Sequence, residues 1–214
     1  MSVQDQKTSA GRPAEAKERR IRPQRARYPR TKELSGVVVV VTARDRRAAV
    51  ARCLEGLRDS HEHCADIVYV DGLSADRSPV MVRERFPFAR VVPEFSDAIR
   101  AVQHDAAPPR FVVVVSPDVS LDRLALRALV RAAAAAPEGE AVAPTLEDPG
   151  GNALDTDTEV SVDPADCRSS MPVWAVRRRD LARGKTLTVR VLSDVRALVP
   201  RPAELSHRSA TRSI

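Results

Sequence analysis

Two stretches of this chain, Val37-Val-Val-Val-Val41 and Phe111-Val-Val-Val-Val115, each carry five apolar side chains in a row, nine of the ten being valine. A strand with one wet face alternates apolar and polar residues. A continuous β-branched run instead fits a strand covered on both faces, as in the interior of a parallel sheet. Covering both faces takes helices, and the sequence supplies them in alternation with the strands. The spacing of Ala49, Val50, Cys53, Leu54 and Leu57 predicts a helix over residues 45–57. Residues 67–71 read as a second strand that ends in a carboxylate, and 76–86 as a second helix. A short third strand follows at 89–92, and a third helix over 95–105 puts Phe95, Ala98, Ile99 and Val102 on one face. After the apolar strand 111–116, Ser120 reads as the N-cap of a fourth helix. Its stripe is Leu121, Leu124, Ala125, Ala128 and Leu129, and Pro137 follows its end. Four such alternations predict an open, doubly wound, mainly parallel α/β sheet flanked by helices.

The second half is less regular. Residues 141–144, 172–177 and 186–191 are strand candidates, 178–182 is a short helix, and 147–170 reads as loop. With 214 residues and 43% apolar side chains, the chain suffices for one globular domain, placed at about 36–200, with a polar tail over 201–214. No apolar run approaches a membrane span, and the polar N-terminus has no secretory h-region. Cys53, Cys64 and Cys167 are widely spaced and odd in number, which argues against a disulfide framework and for the cytoplasm.

Charge is distributed unevenly. Residues 1–36 hold 10 Lys and Arg against 4 Asp and Glu, while the remainder holds 25 of each. The net charge of +6 therefore lies in a segment, 1–35, with too few large apolar side chains to offset its ordering entropy. We expect a disordered basic arm, either a mere solubilising tail or a weak electrostatic contact, without sequence preference, with phosphate-rich surfaces, nucleic acid or anionic membrane. Tyr28 is its one aromatic residue, so base stacking, and with it specific nucleic-acid recognition, is not expected.

In open α/β sheets ligands bind outside the carboxyl ends of the strands. Asp71, Asp76 and Asp118 fall there. Asp71 can accept hydrogen bonds from a base or ribose. Asp76 is placed to cap a helix. Asp118, stiffened by Pro117, is either a turn or capping aspartate or a ligand for a divalent ion that carries a diphosphate.

The order of motifs resembles the family 2 glycosyltransferases, whose GT-A fold binds nucleotide sugars. Val41-Thr-Ala-Arg44 stands where the family has V-T-Y-N, and Arg52-Cys-Leu-Glu-Gly-Leu57 where it has R-C-L-x-S-L. Val70-Asp-Gly-Leu-Ser-Ala-Asp-Arg-Ser78 matches V-D-N-G-S-T-D-x-S, Val115-Ser-Pro-Asp-Val119 an N-P-D strand end, and Leu146-Glu-Asp-Pro-Gly150 the D-P-D-G loop. The N-P-D form is nearest to the rhamnosyltransferase-like branch. The resemblance implies a nucleotide-diphosphate sugar bound by Thr42, Arg44, Asp71 and Asp118, with Mg2+ or Mn2+ on Asp118. Ser193-Asp-Val-Arg196 stands for the family's E-D-x-D, which makes Asp194 the candidate catalytic base. Many members act on lipid-linked acceptors, which gives the arm a use at the inner membrane face.

The sequence also departs from the family. Arg44 replaces an asparagine, Gly72 and Leu73 replace N-G, the donor segment 95–104 lacks glycine, and the family's F-D-E is missing. These losses motivate a second reading, a non-catalytic binding or scaffold protein with a degenerate transferase fold. Other signals weigh less. Asp155-Thr-Asp157 reads as solvated loop, and His61-Glu-His63-Cys64 lacks the second ligand pair of a zinc site. Arg177-Arg-Arg179 is a phosphate contact or a solvated run. No G-x-G-x-x-G, G-K-[ST] or G-x-S-x-G occurs, so Rossmann, P-loop and α/β-hydrolase chemistry lose their main support.

Overall fold

The computed structural model describes residues 34–62, 65–103, 109–154, 159–162, 172–181 and 186–199. In chain order the elements are β1 (Val37–Ala43), α1 (Arg47–Glu62), β2 (Ala65–Asp71), α2 (Ser78–Arg85), β3 (Ala89–Val92), α3 (Phe95–Gln103), β4 (Phe111–Val115), α4 (Arg123–Ala135), β5 (Glu140–Glu147), β6 (Glu159–Val162), β7 (Val173–Arg177), α5 (Arg178–Leu181) and β8 (Leu187–Leu198). The strands form one sheet in the order β3-β2-β1-β4-β7-β5-β8-β6. β1 runs parallel to β2 and β4, and β2 to β3. β7 enters antiparallel between β4 and β5, β8 returns parallel to β5, and β6 closes the edge antiparallel.

The apolar strands are buried on both faces, as their composition requires. Val37, Val39 and Val41 join one core layer with Leu54 and Leu57 of α1, Met81 and Val82 of α2, and Leu126 and Leu129 of α4. Val38 and Val40 face the other layer, with Phe95, Ala98 and Leu181. Side chains alternate across a strand, so one five-valine run serves two cores. Cys53 is buried on the stripe of α1, and the thiol's pKa is pushed up to about 12, by burial first and then by the charge of Asp118.

Three expectations are corrected. The cap of α4 is Asp122, whose carboxylate accepts from the Ala125 N–H at 2.7 Å, and not Ser120. Both residues are cap formers, but Leu121 is buried and draws the chain inward before the helix starts. The stretch 147–170 contains β6, which pairs with the first residues of β8, Leu187 to Arg190. β8 itself is twice the expected length, because a register shift beyond Pro144 and Leu192 adds residues without ending the strand. Of the expected arm (1–35), residues 1–33 lie outside the described residues, as do His63, Cys64, Cys167, Asp155, Asp157 and the tail 201–214; Leu34, at its end, is buried in the core.

Candidate functional site

The chain runs β1 to β2 to β3 in one direction, then crosses to place β4 on the other side of β1. The loops after β1 and β4 therefore part at a topological switch point, the place where open sheets form ligand crevices. Thr42 and Ala43, at the end of β1, are level with Val70 and Asp71 of β2. Thr42 is half-buried, and Arg44 extends into solvent 3.7 Å from the Asp45 carboxylate.

Asp71 is buried. Its Oδ1 accepts from the Tyr69 hydroxyl at 3.0 Å and its Oδ2 from the Ser74 N–H at 3.2 Å. Burial first, together with the Asp71 carboxylate that the hydroxyl serves, pushes the Tyr69 pKa up to about 12 against opposing hydrogen bonds from Ser74 and Ser78. Asp71 thus builds its own loop first. A carboxylate has about four acceptor positions, of which these two bonds occupy two.

The loops after β1 and β2 are bound to each other. Gly72 N–H donates to the Ala43 carbonyl at 2.9 Å, Asp45 N–H to Ser74 Oγ at 3.0 Å, and Ala75 N–H to Asp45 Oδ1 at 2.6 Å. Asp45, Leu73 and Arg77 all adopt left-handed backbone, with φ of 53°, 62° and 61°. Leucine there is strained. Glycine stands one position earlier, at Gly72, whose φ is not left-handed. Leu73 is 80% exposed, so no packing offsets the strain. Leu73→Gly should therefore leave the fold as stable or stabilise it by up to about 1 kcal/mol, measured as a shift of the urea midpoint at constant slope. Loss of stability would show that Leu73 is held by contacts beyond this loop.

Asp76 accepts from the Arg47 N–H at 2.8 Å through Oδ2, and from the Ser78 N–H at 2.9 Å and the Ser78 hydroxyl through Oδ1. One carboxylate thereby serves the first residues of both α1 and α2, whose own N-cap, Arg77, makes no side-chain cap bond. Burial raises its pKa, but the Ser78 hydroxyl and N–H, the Arg47 N–H and the Arg47 charge outweigh it and hold the pKa below the usual carboxylate value. The depressed pKa stabilises the fold above the unfolded carboxylate value near ~4, and that contribution is lost as pH falls through the lower folded value. Asp76→Ala should cost about 1–2 kcal/mol at pH 7, and the gap between variant and wild type should close in acid. A gap that persists undiminished below the carboxylate range would contradict the assignment.

Asp118 stands in the loop after β4, half-exposed. The start of β7 clamps that loop, with Ser116 N–H donating to the Pro172 carbonyl at 2.6 Å. The Arg46 guanidinium forms an ion pair and hydrogen bond with Asp118 Oδ1. An ion brought in by a diphosphate needs only one or two carboxylates, so what matters is what this carboxylate already holds. It holds a cation. Among the described residues, moreover, no group of three His, Cys, Asp or Glu side chains is placed to hold a metal. The pair with Arg46 weighs against the divalent ion that the resemblance implies, because an incoming ion would have to share this carboxylate with a guanidinium.

Thr42, Arg44, Asp71 and Asp118 are thus gathered on the carboxyl edge of three adjacent strands. Asp194 is not among them. Val115 is level with Val173, and Ala175 with Val142, so the register carries across to Pro144 and Leu192. Asp194 lies just past Leu192, exposed on the β8 bulge, at the same edge but three strand spacings from β4, about 14 Å. Its neighbour Arg196 is paired with Glu147. Asp148, of the expected D-P-D-G loop, accepts from the Gly150 and Asn152 N–H groups at 2.8 and 2.9 Å and closes its own turn. Arg177 is neither a phosphate contact nor solvated: it pairs with buried Asp180 at 2.8 Å. His61 stacks on Phe88 with centroids 5.0 Å apart. Sequence reasoning missed Arg46, the partner of Asp118, which has no motif signal and lies 72 positions away.

No family model matches the sequence, and no curated protein matches it. Solved structures do. A mannosyltransferase from Pyrobaculum calidifontis, in complex with GDP-Man and Mn2+, superposes with a TM-score of 0.52 at 19% identity, over 78% of this chain and 58% of that one. S. aureus TarS residues 1–349, in complex with UDP-GlcNAc, gives 0.51 at 14% identity, over 83% of this chain and 61% of that one. The chain spans about three fifths of each. At these identities the likeness concerns the fold: a mixed, mostly parallel sheet flanked by helices, the GT-A type of nucleotide-sugar glycosyltransferases.

Proposed function

We propose that this protein binds a nucleotide-diphosphate sugar at the carboxyl edge of β1, β2 and β4 and acts as a glycosyltransferase. One observation carries the reading: the loops after β1 and β2, on one side of the switch point, are built as a unit. Asp71, Asp45 and Ser74 fix their backbones, and Arg44 and Asp118 are left facing solvent at the crevice. Thr42 and Asp71 suit the nucleoside and the Asp118 region the diphosphate. Asp194 is the carboxylate proposed as base.

The second reading, a non-catalytic binding module, is favoured by the position of Asp194. A base about 14 Å across the sheet from β4 must be brought to the acceptor by the acceptor itself or by movement of the β8 bulge. Calorimetry with UDP-, GDP- and dTDP-sugars, with and without Mg2+ or Mn2+, tests binding, and release of free nucleotide from the bound donor tests turnover. Binding with turnover supports the transferase. Binding without turnover, unchanged in Asp194→Asn, supports the module. No heat with any donor counts against both.

We further propose that residues 1–35 give weak, salt-sensitive attachment to anionic membrane, with the protein in the cytoplasm at the inner membrane face. All the net charge lies there. The full chain should sediment with anionic vesicles at low salt and lose binding at moderate salt, while a chain starting at Ser35 should not bind. Equal binding by both would remove the arm from the account.

A further inference from the structure

We infer that the site takes a diphosphate without a divalent cation, the Arg46 guanidinium standing on Asp118 in place of a metal ion. The inference rests on the diphosphate-binding reading above and narrows it. Three observations carry it. First, the Asp118 carboxylate already holds a permanent cation, and both side chains are about two-fifths exposed, at 38% and 42%, so the pair is open to solvent at the carboxyl edge. A divalent ion could reach Asp118 only by displacing Arg46 or by sitting against its positive charge. Second, the placement of Arg46 is built into the backbone. It follows Asp45, whose left-handed φ of 53° is fixed from both sides by Ser74 Oγ and the Ala75 N–H. Arg46 follows that turn directly and meets Asp118, three residues past the end of β4. Third, a guanidinium has five N–H donors in a planar fork. The pair with Asp118 Oδ1 uses one nitrogen, and the remaining donors can take phosphate oxygens side by side. Arg44 and Arg47, both exposed, flank it. Asp118 then positions Arg46, and Arg46 supplies the positive charge that a departing diphosphate requires.

The test is titration of wild type, Arg46→Ala and Arg46→Lys with UDP, GDP, dTDP and inorganic pyrophosphate, in EDTA and in millimolar Mn2+. Circular dichroism and thermal melting confirm that each variant is folded. Wild type should bind a nucleoside diphosphate and pyrophosphate equally well, within about twofold, in EDTA and in Mn2+. Arg46→Ala should lose about 10- to 100-fold in EDTA, the range for a charged hydrogen bond. Mn2+ should then restore part of the affinity, because Asp118 is freed. Arg46→Lys should fall between, keeping the charge without the fork. Nucleotide binding by wild type that needs Mn2+ would overturn this inference and leave the nucleotide-sugar reading intact. Metal-free pyrophosphate binding lost in Arg46→Ala, without binding of any nucleotide, would support the inference and sink the nucleotide reading. No binding of nucleotide or pyrophosphate in either condition would overturn both.

Discussion

Phe86→Ala should lower the unfolding free energy by about 4 kcal/mol. Phe86 closes α2 at its C-terminus, with its N–H on the Val82 carbonyl at 2.9 Å, and is fully buried. Its ring meets Phe88 edge-on, with centroids 5.9 Å apart, and the Arg58 and Arg85 guanidinium groups lie 5.8 and 5.4 Å from its centroid. Truncation would remove the ring from the core layer shared by α1, α2 and β2 and leave two arginines over a void. The chain has a single tryptophan, Trp174, fully buried in β7, so urea unfolding followed by its fluorescence reads the loss directly. Phe86→Leu, which refills most of the space, should cost only about 1.5 kcal/mol. A loss below about 1 kcal/mol for the alanine variant would show that this end of the sheet is not packed as described.

The second large effect is expected at Arg177. Its Nε donates to Asp180 Oδ2 at 2.8 Å, and a terminal nitrogen donates to the Pro137 carbonyl. The Asp180 side chain is fully buried and that of Arg177 only 15% exposed. Arg177→Met should cost about 3 kcal/mol, because the carboxylate stays buried after its cation has gone. The double variant Arg177→Met, Asp180→Leu should recover most of that loss, since an apolar pair of similar volume replaces a buried ion pair at little cost. Additive losses in the double variant would mean that Asp180 is held mainly by other groups. The pair fastens one end of β7, while the residue before its other end, Pro172, holds Ser116 in the loop that carries Asp118. Loosening β7 should therefore weaken ligand binding at Asp118 as well as stability.

How far the sequence could be read depended on the type of signal. β1 and β4 were legible because a strand buried on both faces has no choice of composition. β3 was found with its bounds intact at Ala89–Val92. β6 and the outer half of β8 lie at the sheet's edge, where one wet face permits polar residues and the apolar signal thins. The start of α4 was misplaced because Ser120 and Asp122 are both cap formers, and only the burial of Leu121 decides between them. The placement of Asp71 and Asp118 at the carboxyl edge was legible from position alone, since both end or follow a buried strand. Arg46 was not, because an ion pair across 72 residues leaves no periodicity. Leu73 was equally hidden: glycine marks left-handed backbone in most turns, yet here the adjacent leucine takes that conformation. For Asp194 the motif supplied a position in the chain, and the three extra residues of the β8 bulge determined where that position falls across the sheet.

The central claim is that the carboxyl edge of β1, β2 and β4 receives a nucleotide-diphosphate sugar. Amide chemical shifts of the labelled protein, followed through titration with UDP-, GDP- and dTDP-sugars, test it most directly. With at least one donor, the account predicts saturable shifts clustered at residues 42–47, 71–76 and 116–119, with the antiparallel edge at β6 unmoved. Shifts that centre elsewhere, or no saturable shift with any of the three donors, would contradict it.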